Sequence, residues 1–190
     1  MVAITNMKKK QIEINFITGN KTKFKEVSEL LKPIKVNQVD IDLEEVQEVE
    51  PKKVVAHKIE EAFSRHKGPF IVEDSGLMLD CLGGKLPGPF IKWFLQYQGI
   101  VGIAKLAKAS KKTRAKAYTL IALAKNQTDI KFFLGEVSGF IVPPEGKYRF
   151  GYDEIFMPSG QKRTLSEMKH LGDYTKSSRA VAVKKLKKYI

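Results

Sequence analysis

The stretch QIEINFITGN, residues 11–20, decides the first part of the fold. Polar and apolar residues alternate from Gln11 to Ile17, which is typical of a β-strand with one buried face. Thr18-Gly19-Asn20 interrupts the alternation, and apolar residues then recur at helical spacing until Pro33, at Phe24, Val27, Leu30 and Leu31. The pattern predicts a strand, a tight turn and a helix in direct succession.

Further strands and helices are predicted along the rest of the chain. A second strand lies within 34–41, a helix begins at about Pro51, and a third, buried strand at 70–72 ends at 73–76. The later elements are short helices at 90–98 and 100–109, antiparallel strands at 118–124 and 130–142, and a helix from about Ser177. This mixture favours an α/β protein with a mixed sheet, in which 1–10 is an extension and 11–190 a single domain.

The composition is that of an ordinary globular protein with a strong positive charge. The 190 residues include 34 Lys and Arg against 21 Asp and Glu, a formal net charge of +13. There is no run of about 18 apolar residues, so we expect no membrane span. Cys81 is the only cysteine. A disulfide framework is therefore excluded, and, since no signal-peptide pattern is present, we expect a cytoplasmic protein.

Basic residues are concentrated in two stretches, 105–116 and 184–188. Such a surface attracts polyanions, including nucleotides and nucleic acids. No zinc-finger spacing or RNA-binding aromatic motif accompanies the charge, and a solvated lysine-rich face is the commoner explanation. The charge permits a nucleic-acid partner but does not require one.

The turn at 18–23 is a candidate phosphate site. Backbone N–H groups at the start of a helix have no intrahelical acceptor, and the helix dipole is positive there. Gly19 allows close approach of a ligand, and Lys23 adds positive charge. An ordinary helix cap by Asn20 explains the same residues. The candidate phosphate-binding residues are Thr18, Gly19, Asn20, Lys21, Thr22 and Lys23.

An acidic pair, Glu73-Asp74, follows the apolar run at 70–72. Adjacent carboxylates beside a phosphate cradle suit Mg²⁺, which binds through carboxylate and phosphate oxygens. A carboxylate here is also suited to deprotonate a water molecule that attacks phosphorus. Glu45 is a further candidate ligand. An Asx turn or helix cap at 73–76 and a solvated surface pair at 44–45 remain open as structural explanations.

The segment Phe150-Gly151-Tyr152-Asp153 suits a nucleobase. Its aromatic rings can stack on the base while Asp153 accepts hydrogen bonds. A core aromatic cluster at the end of a hairpin is the alternative. His57, His66 and His170 lack metal-ligand spacing and Cys81 lacks a base partner, so we expect all four to be surface or packing residues.

Six collinear segments of the chain resemble the inosine triphosphate pyrophosphatase family, also called ITPase or Ham1-like. The resemblance rests mainly on FITGN (16–20) with Lys23, VEDSGL (72–77), LPGPFIKWF (86–94) and FGYD (150–153), with support from DLEE (42–45) and TLSEM (164–168). Together these segments run from about Ile12 to Arg179, nearly the whole chain.

The resemblance implies an Mg²⁺-dependent hydrolase, with Mn²⁺ as a substitute, that converts ITP, dITP and XTP to the monophosphate and pyrophosphate. Such an enzyme removes deaminated purines from the nucleotide pool. The implied fold is an elongated α/β structure whose central mixed sheet is flanked by helices. Two lobes enclose a nucleotide cleft, and the molecule is usually a homodimer that requires neither a membrane nor nucleic acid.

Matching positions assign roles to individual residues of this chain. The resemblance makes Asp74 and Lys23 catalytic, with Asp74 acting on the attacking water, and it makes Glu45, Glu73 and Asp74 metal ligands. It places the triphosphate on Thr18, Asn20 and Lys23. The remaining expected substrate contacts are Phe150, which stacks on the base, and Lys58, Ser75, Lys92, Gly151, Tyr152, Asp153, Ser178 and Arg179.

The chain departs from the family pattern near its C-terminus. Arg179 is kept, but Ser178 stands where the family has histidine and Asp173 where it has lysine. Lys176 and Lys169 are the nearby lysines that could substitute. Loss of a base-reading imidazole is expected to relax discrimination by about 1–3 kcal/mol.

Two other functions remain open from the sequence. The related Maf-like family has a similar architecture and other nucleotide substrates, but the segment at 86–94 belongs to the ITPase pattern. A basic nucleic-acid-binding protein without catalysis is the alternative from a different class, with 105–116 and 184–188 as its surface.

Overall fold

A computed structural model describes residues 13–190, so the predicted extension at 1–10 and the first two residues of the strand predicted at 11–17 lie outside it. The described strands are β1 (Glu13–Ile17), β2 (Lys35–Val39), β3 (Phe70–Leu79), β4 (Pro87–Gly88), β5 (Arg114–Ala124), β6 (Ile130–Ile141) and β7 (Phe156–Pro158). They form one seven-stranded sheet in the order β2-β1-β3-β5-β6-β7, with β4 paired to β3. The β2-β1 and β1-β3 pairs are parallel and the others antiparallel, which confirms the predicted mixed α/β sheet.

Helices flank this sheet throughout the described region. They are α1 (Lys21–Leu31), α2 (Pro51–Arg65), α3 (Ile91–Tyr97), α4 (Gly99–Ala109), α5 (Leu165–His170) and α6 (Ser178–Tyr189). The predicted C-terminal helix begins where expected, because the Ser177 hydroxyl caps it by accepting a hydrogen bond from the Ala180 N–H at 3.1 Å. No helix within 13–190 is long and apolar enough to cross a membrane.

The two faces of the sheet carry separate cores, because neighbouring residues of a strand point to opposite sides. On one face, Ile71 packs with Val27 of α1 and Leu186 of α6. On the other face, Val72 packs with Val55 of α2. The helices thereby bury both faces of the central strands, and the polar residues of β3 must find partners within the protein.

Strand β3 is longer than the sequence pattern predicts. The predicted end at 73–76 is wrong, because β5 pairs with all ten residues of the strand through to Leu79. Leu77, near its far end, belongs to a third core cluster with residues of α3 and α4. Glu73 and Asp74 therefore lie within a buried strand and not after it.

The other edge of β3 is open in its middle. β1 pairs only with Phe70 and Ile71, and β4 pairs only with Leu77 and Met78. Among the described strands, none pairs with this edge along 72–76. Side chains that leave β3 on either face of the sheet can therefore reach the same space beside this open edge. The segment VEDSG (72–76) forms the floor of a cleft there.

Gly76 allows Tyr118 of β5 to lie across β3. A methyl group on Gly76 would come within 2.5 Å of the Tyr118 ring and would also meet the Gly88 carbonyl. Since no side chain intervenes, the Tyr118 hydroxyl reaches Asp74 and donates a hydrogen bond of 2.9 Å to Oδ2. The glycine that follows the acidic pair is thus required for packing.

We expect Gly76→Ala to destabilise the protein by about 1–3 kcal/mol, because the methyl group overpacks a site walled by backbone and an aromatic ring. Urea unfolding followed by circular dichroism measures the change. Gly102→Ala in α4 is the matched control. Its methyl group meets only the flexible Gln98 side chain, and alanine is favoured over glycine in a helix. Equal stability of the two variants would contradict the packing argument.

Candidate active site

A cleft of about 900 Å³ opens at the free edge of β3. The end of β1, the segments 40–47 and 150–153 and the start of α6 complete its wall. Lys21 and Thr22 are not among its lining residues. The predicted site residues that do line it are Thr18, Gly19, Asn20, Lys23, Glu45, Lys58, Glu73, Asp74, Ser75, Lys92, Phe150, Gly151, Tyr152, Asp153, Ser178 and Arg179.

The start of α1 forms one end of the cleft. The Asn20 side chain caps the helix by accepting a hydrogen bond of 3.0 Å from the Lys23 N–H, and the Thr18 hydroxyl accepts one of 3.1 Å from the Asn20 N–H. Helix capping, the structural explanation of this turn, is therefore present. The N–H groups of Asn20 and Lys23 are used in this way, which leaves those of Lys21 and Thr22 without an intrahelical acceptor at the positive end of the dipole. The turn has the geometry of an anion site.

Asp74 and Glu45 meet at a single ammonium group. Lys58 Nζ lies 2.8 Å from Glu45 Oε1 and 3.7 Å from Asp74 Oδ1. Burial raises the pKa of Asp74 above its usual value, although the Lys58 and Lys23 ammonium groups oppose this. Burial also acts to raise the pKa of Glu45, but there the Lys58 ammonium outweighs it and the pKa is lowered.

These two carboxylates fit a cation that arrives with a phosphate ligand. Within residues 13–190 there is no group of three His, Cys, Asp or Glu side chains that could hold a metal ion alone. Mg²⁺ commonly binds through one or two carboxylates and completes its coordination with water and substrate phosphates. Asp74 and Glu45 supply such a partial set, already gathered around one positive charge.

Glu73 points away from this pair, as expected for the neighbouring residue of a strand. Arg179 donates two hydrogen bonds of 2.8 Å to the Glu73 carboxylate, and Lys23 Nζ lies 3.4 Å from Glu73 Oε1. Burial acts to raise the pKa of Glu73, but Arg179 and Lys23 outweigh it and lower the pKa to about 2. The carboxylate is thus charged at neutral pH and engaged by protein cations, and its role as a metal ligand stays a prediction.

The contacts of Glu73 continue into a buried network of ion pairs beside the cleft. Arg179 pairs with Glu26 of α1 as well as with Glu73. Lys169 of α5 donates hydrogen bonds of 2.8 Å to Glu26 Oε1 and 2.7 Å to Asp153 Oδ2. Burial raises the pKa of Asp153 to about 6, with Lys169 acting against the rise.

The aromatic residues of the segment 150–153 have separate roles. Phe150 lines the cleft, and its ring centroid lies 5.5 Å from Lys169 Nζ and 5.6 Å from Arg179 Cζ. Tyr152 packs against the cluster beneath α3 and α4, and its hydroxyl donates a hydrogen bond of 3.2 Å to the Gly76 carbonyl. Both rings line the cleft and Tyr152 also packs against the core, so the core-cluster explanation holds in part and nucleobase binding stays a prediction.

Comparison with known families identifies the chain. The model of the Ham1 family matches residues 14–189. The chain belongs to the Ham1 family. The match spans nearly all the described residues and includes every part of the cleft, so the family resemblance found in the six sequence motifs is confirmed.

Solved structures of Ham1 proteins share the fold. A HAM1 protein from Coxiella burnetii has 25% identity and a TM-score of 0.79, over 94% of this chain and 98% of that one. The Ham1 protein of Staphylococcus aureus has 25% identity and a TM-score of 0.75, over 93% and 97%. A nucleoside-triphosphatase / dITP/XTP pyrophosphatase from Mycobacterium abscessus has the same fold at 22% identity, with a TM-score of 0.62 over 82% and 88%.

The two departures from the Ham1 pattern have different surroundings. Ser178 is buried in the cleft wall, and its hydroxyl lies 2.9 Å from that of Thr119. Asp173 instead closes its own turn by accepting hydrogen bonds from Thr175 at 2.9 and 2.6 Å. Of the two lysines that could substitute, Lys169 lines the cleft and Lys176 is exposed.

Sequence reasoning missed three residues that hold the Ham1 site together. Glu26 joins Arg179 to Lys169, Tyr118 fixes Asp74, and Tyr148 donates a hydrogen bond of 3.1 Å to Glu26. A signal existed for Glu26 alone, since it follows Lys23 by three residues and therefore shares its helix face. Tyr118 is 44 residues from Asp74 and Tyr148 is 122 residues from Glu26, and neither tyrosine belongs to a motif of its own.

We expect Asp153 to make stability depend on pH. A carboxyl group with a higher pKa in the folded state binds its proton more tightly there, so acidification favours folding between the unfolded value of 3.8 and the folded value of about 6. Relative to Asp153→Asn, the free energy of unfolding of the wild type should rise by up to about 1.4 kcal/mol for each unit by which the pH is lowered. Urea unfolding of both proteins across this window measures the difference. A difference that stays constant with pH would contradict the raised pKa.

Proposed function

We propose that this Ham1 protein is a nucleoside triphosphate pyrophosphatase, which converts the non-standard purine nucleotides ITP, dITP and XTP to the monophosphate and pyrophosphate. One observation carries the proposal. At the open edge of β3, Asp74 and Glu45 share the Lys58 ammonium in a cleft that also contains the anion-binding turn of α1. Family membership and the six motifs support the same reaction.

In the proposed complex, the triphosphate of the nucleotide lies between the α1 turn and the lysines of the cleft. The unpaired N–H groups at the start of α1 and the helix dipole favour negative charge at the turn. Lys23, Lys58 and Lys92 line the same space and add three positive charges. Because the reaction requires mainly positioning and charge neutralisation, no covalent nucleophile is needed.

Asp74 is the base in the proposed reaction. A water molecule attacks the α-phosphorus, the bond to the bridging oxygen breaks, and pyrophosphate leaves with that oxygen. Asp74 Oδ1 takes the proton from the water, while Oδ2 is held by the Tyr118 hydroxyl at 2.9 Å.

Mg²⁺, or Mn²⁺ in its place, would be held by Glu45 and Asp74 together with phosphate oxygens. Its contribution when bound is to neutralise charge on the phosphates. Glu73 would hold Arg179 and Lys23 in position at the wall of the cleft, as its contacts indicate. Phe150 would stack on the purine, since it lines the cleft.

Asp74→Asn is expected to lower pyrophosphate release from ITP by at least about 100-fold, because it removes the proton acceptor and a metal ligand together. Release is measured with and without Mg²⁺, alongside ATP and UTP. Asp80→Asn is the matched control, since it makes the same change at an exposed residue directly after β3.

Other outcomes of this assay would contradict the proposal in distinct ways. Release of orthophosphate in place of pyrophosphate would mean that another bond is cut. A preference for UTP would favour Maf-like specificity. Absence of turnover, together with salt-sensitive nucleic-acid binding that Asp74→Asn leaves unchanged, would favour the basic binding protein.

We also propose that the protein is a homodimer with two lobes around the cleft, as the family resemblance implies. Trp93, Tyr97 and Val101 leave an apolar surface exposed on α3 and α4, which is compatible with a subunit contact. Sedimentation velocity at micromolar concentration is expected to show twice the chain mass. A single species of monomer mass would contradict the dimer.

A further inference from the structure

Tyr118 places a hydroxyl group beside Asp74 from behind the cleft. The residue lies on β5, is only 1% exposed, and is not among the residues that line the cleft. Its hydroxyl donates the hydrogen bond of 2.9 Å to Asp74, which does line the cleft. Any effect of this hydroxyl on a ligand in the cleft therefore passes through the Asp74 carboxylate.

Tyr118 provides the only hydrogen bond to the Asp74 side chain in the part of the chain that the structure describes. Lys58 holds the carboxylate less closely, because its Nζ is 3.7 Å from Oδ1, beyond hydrogen-bond distance. Lys58 instead donates to Glu45 Oε1 at 2.8 Å and to the Glu73 carbonyl oxygen at 3.4 Å. The orientation of the Asp74 carboxylate is therefore determined mainly by Tyr118.

An aspartate depends on such a contact, because its terminal torsion is only weakly restricted. Its two oxygens are chemically alike, and rotation of the carboxylate displaces both. With Oδ2 held by Tyr118, Oδ1 is the oxygen on the side of Lys58, which lines the cleft. The tyrosine thus gives the two oxygens different positions.

Packing accounts for the ring of Tyr118 but not for its hydroxyl. Tyr118 is paired with Gly76 in the register of β3 and β5, and its ring lies where a Cβ on Gly76 would come within 2.5 Å. A phenylalanine ring would fill the same space and leave no polar atom to satisfy. The buried hydroxyl needs a partner. That partner is the carboxylate that acts as the base in the proposed reaction.

We propose that Tyr118 is a positioning residue, whose hydroxyl holds the Asp74 carboxylate so that Oδ1 is turned to the water that attacks the α-phosphorus. The inference rests on the proposed function, because it concerns the base of that reaction. Its effect falls on proton transfer and not on nucleotide binding, since Tyr118 does not line the cleft. Misplacement of a reacting group by about 1 Å can cost about 100-fold in rate, so loss of orientation alone lowers kcat.

Tyr118→Phe tests the proposal, because it keeps the ring and removes only the hydroxyl. We expect kcat to fall by about 10-fold, while KM changes by less than about two-fold. Both are measured by pyrophosphate release from whichever of ITP, XTP, GTP, ATP and UTP the wild type hydrolyses fastest, so the test does not depend on base selectivity. An unchanged kcat, or a KM that rises as much as kcat falls, would overturn the inference.

Ile121→Val is the matched control for a loss of stability. Ile121 is fully buried on the same strand, but its side chain packs on the opposite face of the sheet, in the cluster that includes Val27 and Leu186. The variant loses a buried apolar group and should unfold at a lower urea concentration than the wild type, with kcat and KM unchanged. If it lowered kcat as much as Tyr118→Phe does, the role of Tyr118 would be structural and the inference overturned.

A double-mutant cycle with Asp74→Asn shows whether Tyr118 acts through Asp74. Once the base is removed, the orientation of the side chain no longer affects proton transfer. Tyr118→Phe should therefore change the residual rate of Asp74→Asn by less than about two-fold. An equal loss of rate in both backgrounds would mean that Tyr118 acts independently of Asp74, contrary to the inference.

The same measurements separate this inference from the proposed function. A wild type that releases no pyrophosphate from any of the five nucleotides contradicts the proposed function, and the inference falls with it. A wild type that releases pyrophosphate with the same kcat as Tyr118→Phe contradicts the inference alone.

Discussion

Arg179 lies between two buried carboxylates, and this contact joins the parts of the chain that form the cleft. Its guanidinium pairs with Glu73 on β3 and Glu26 on α1, and Lys169 on α5 continues the chain of ion pairs from Glu26 to Asp153. Removing one member of such a network leaves an uncompensated buried charge, which costs about 3–5 kcal/mol. The shape of the cleft therefore depends on Arg179 keeping both partners.

Stability alone does not explain why these charges are buried. Well-packed apolar residues commonly stabilise a core as well as a buried ion pair does, because they avoid desolvation of charge. The three carboxylates of the network are balanced by Lys23, Lys169 and Arg179. The arrangement gives the cleft fixed polar groups that need little reorganisation when a polar ligand binds. We therefore interpret the network as part of the binding site.

The sequence was sufficient for the class of the fold and for most residues of the cleft. The alternation at 11–17, the helix after it and the hairpin strands follow local rules of period and turn chemistry. The end of β3 was predicted wrongly because Glu73 and Asp74 are costly in a buried strand unless they are paired. Their partners, Arg179 and Lys58, are distant in sequence, so no local pattern reveals them. Tyr118 was missed for the same reason, whereas Glu26 had a local signal, because it shares a helix face with Lys23.

The ion pairs of the cleft also determine when the cleft is completed. Arg179 is 106 residues from Glu73 and 153 from Glu26, so these contacts are among the most non-local in the chain. A chain still emerging from the ribosome already contains the start of α1 and the strand with Glu73 and Asp74, but Glu26 still lacks both of its cationic partners, Lys169 and Arg179. The wall of the cleft is therefore completed only when the last helix packs against the sheet.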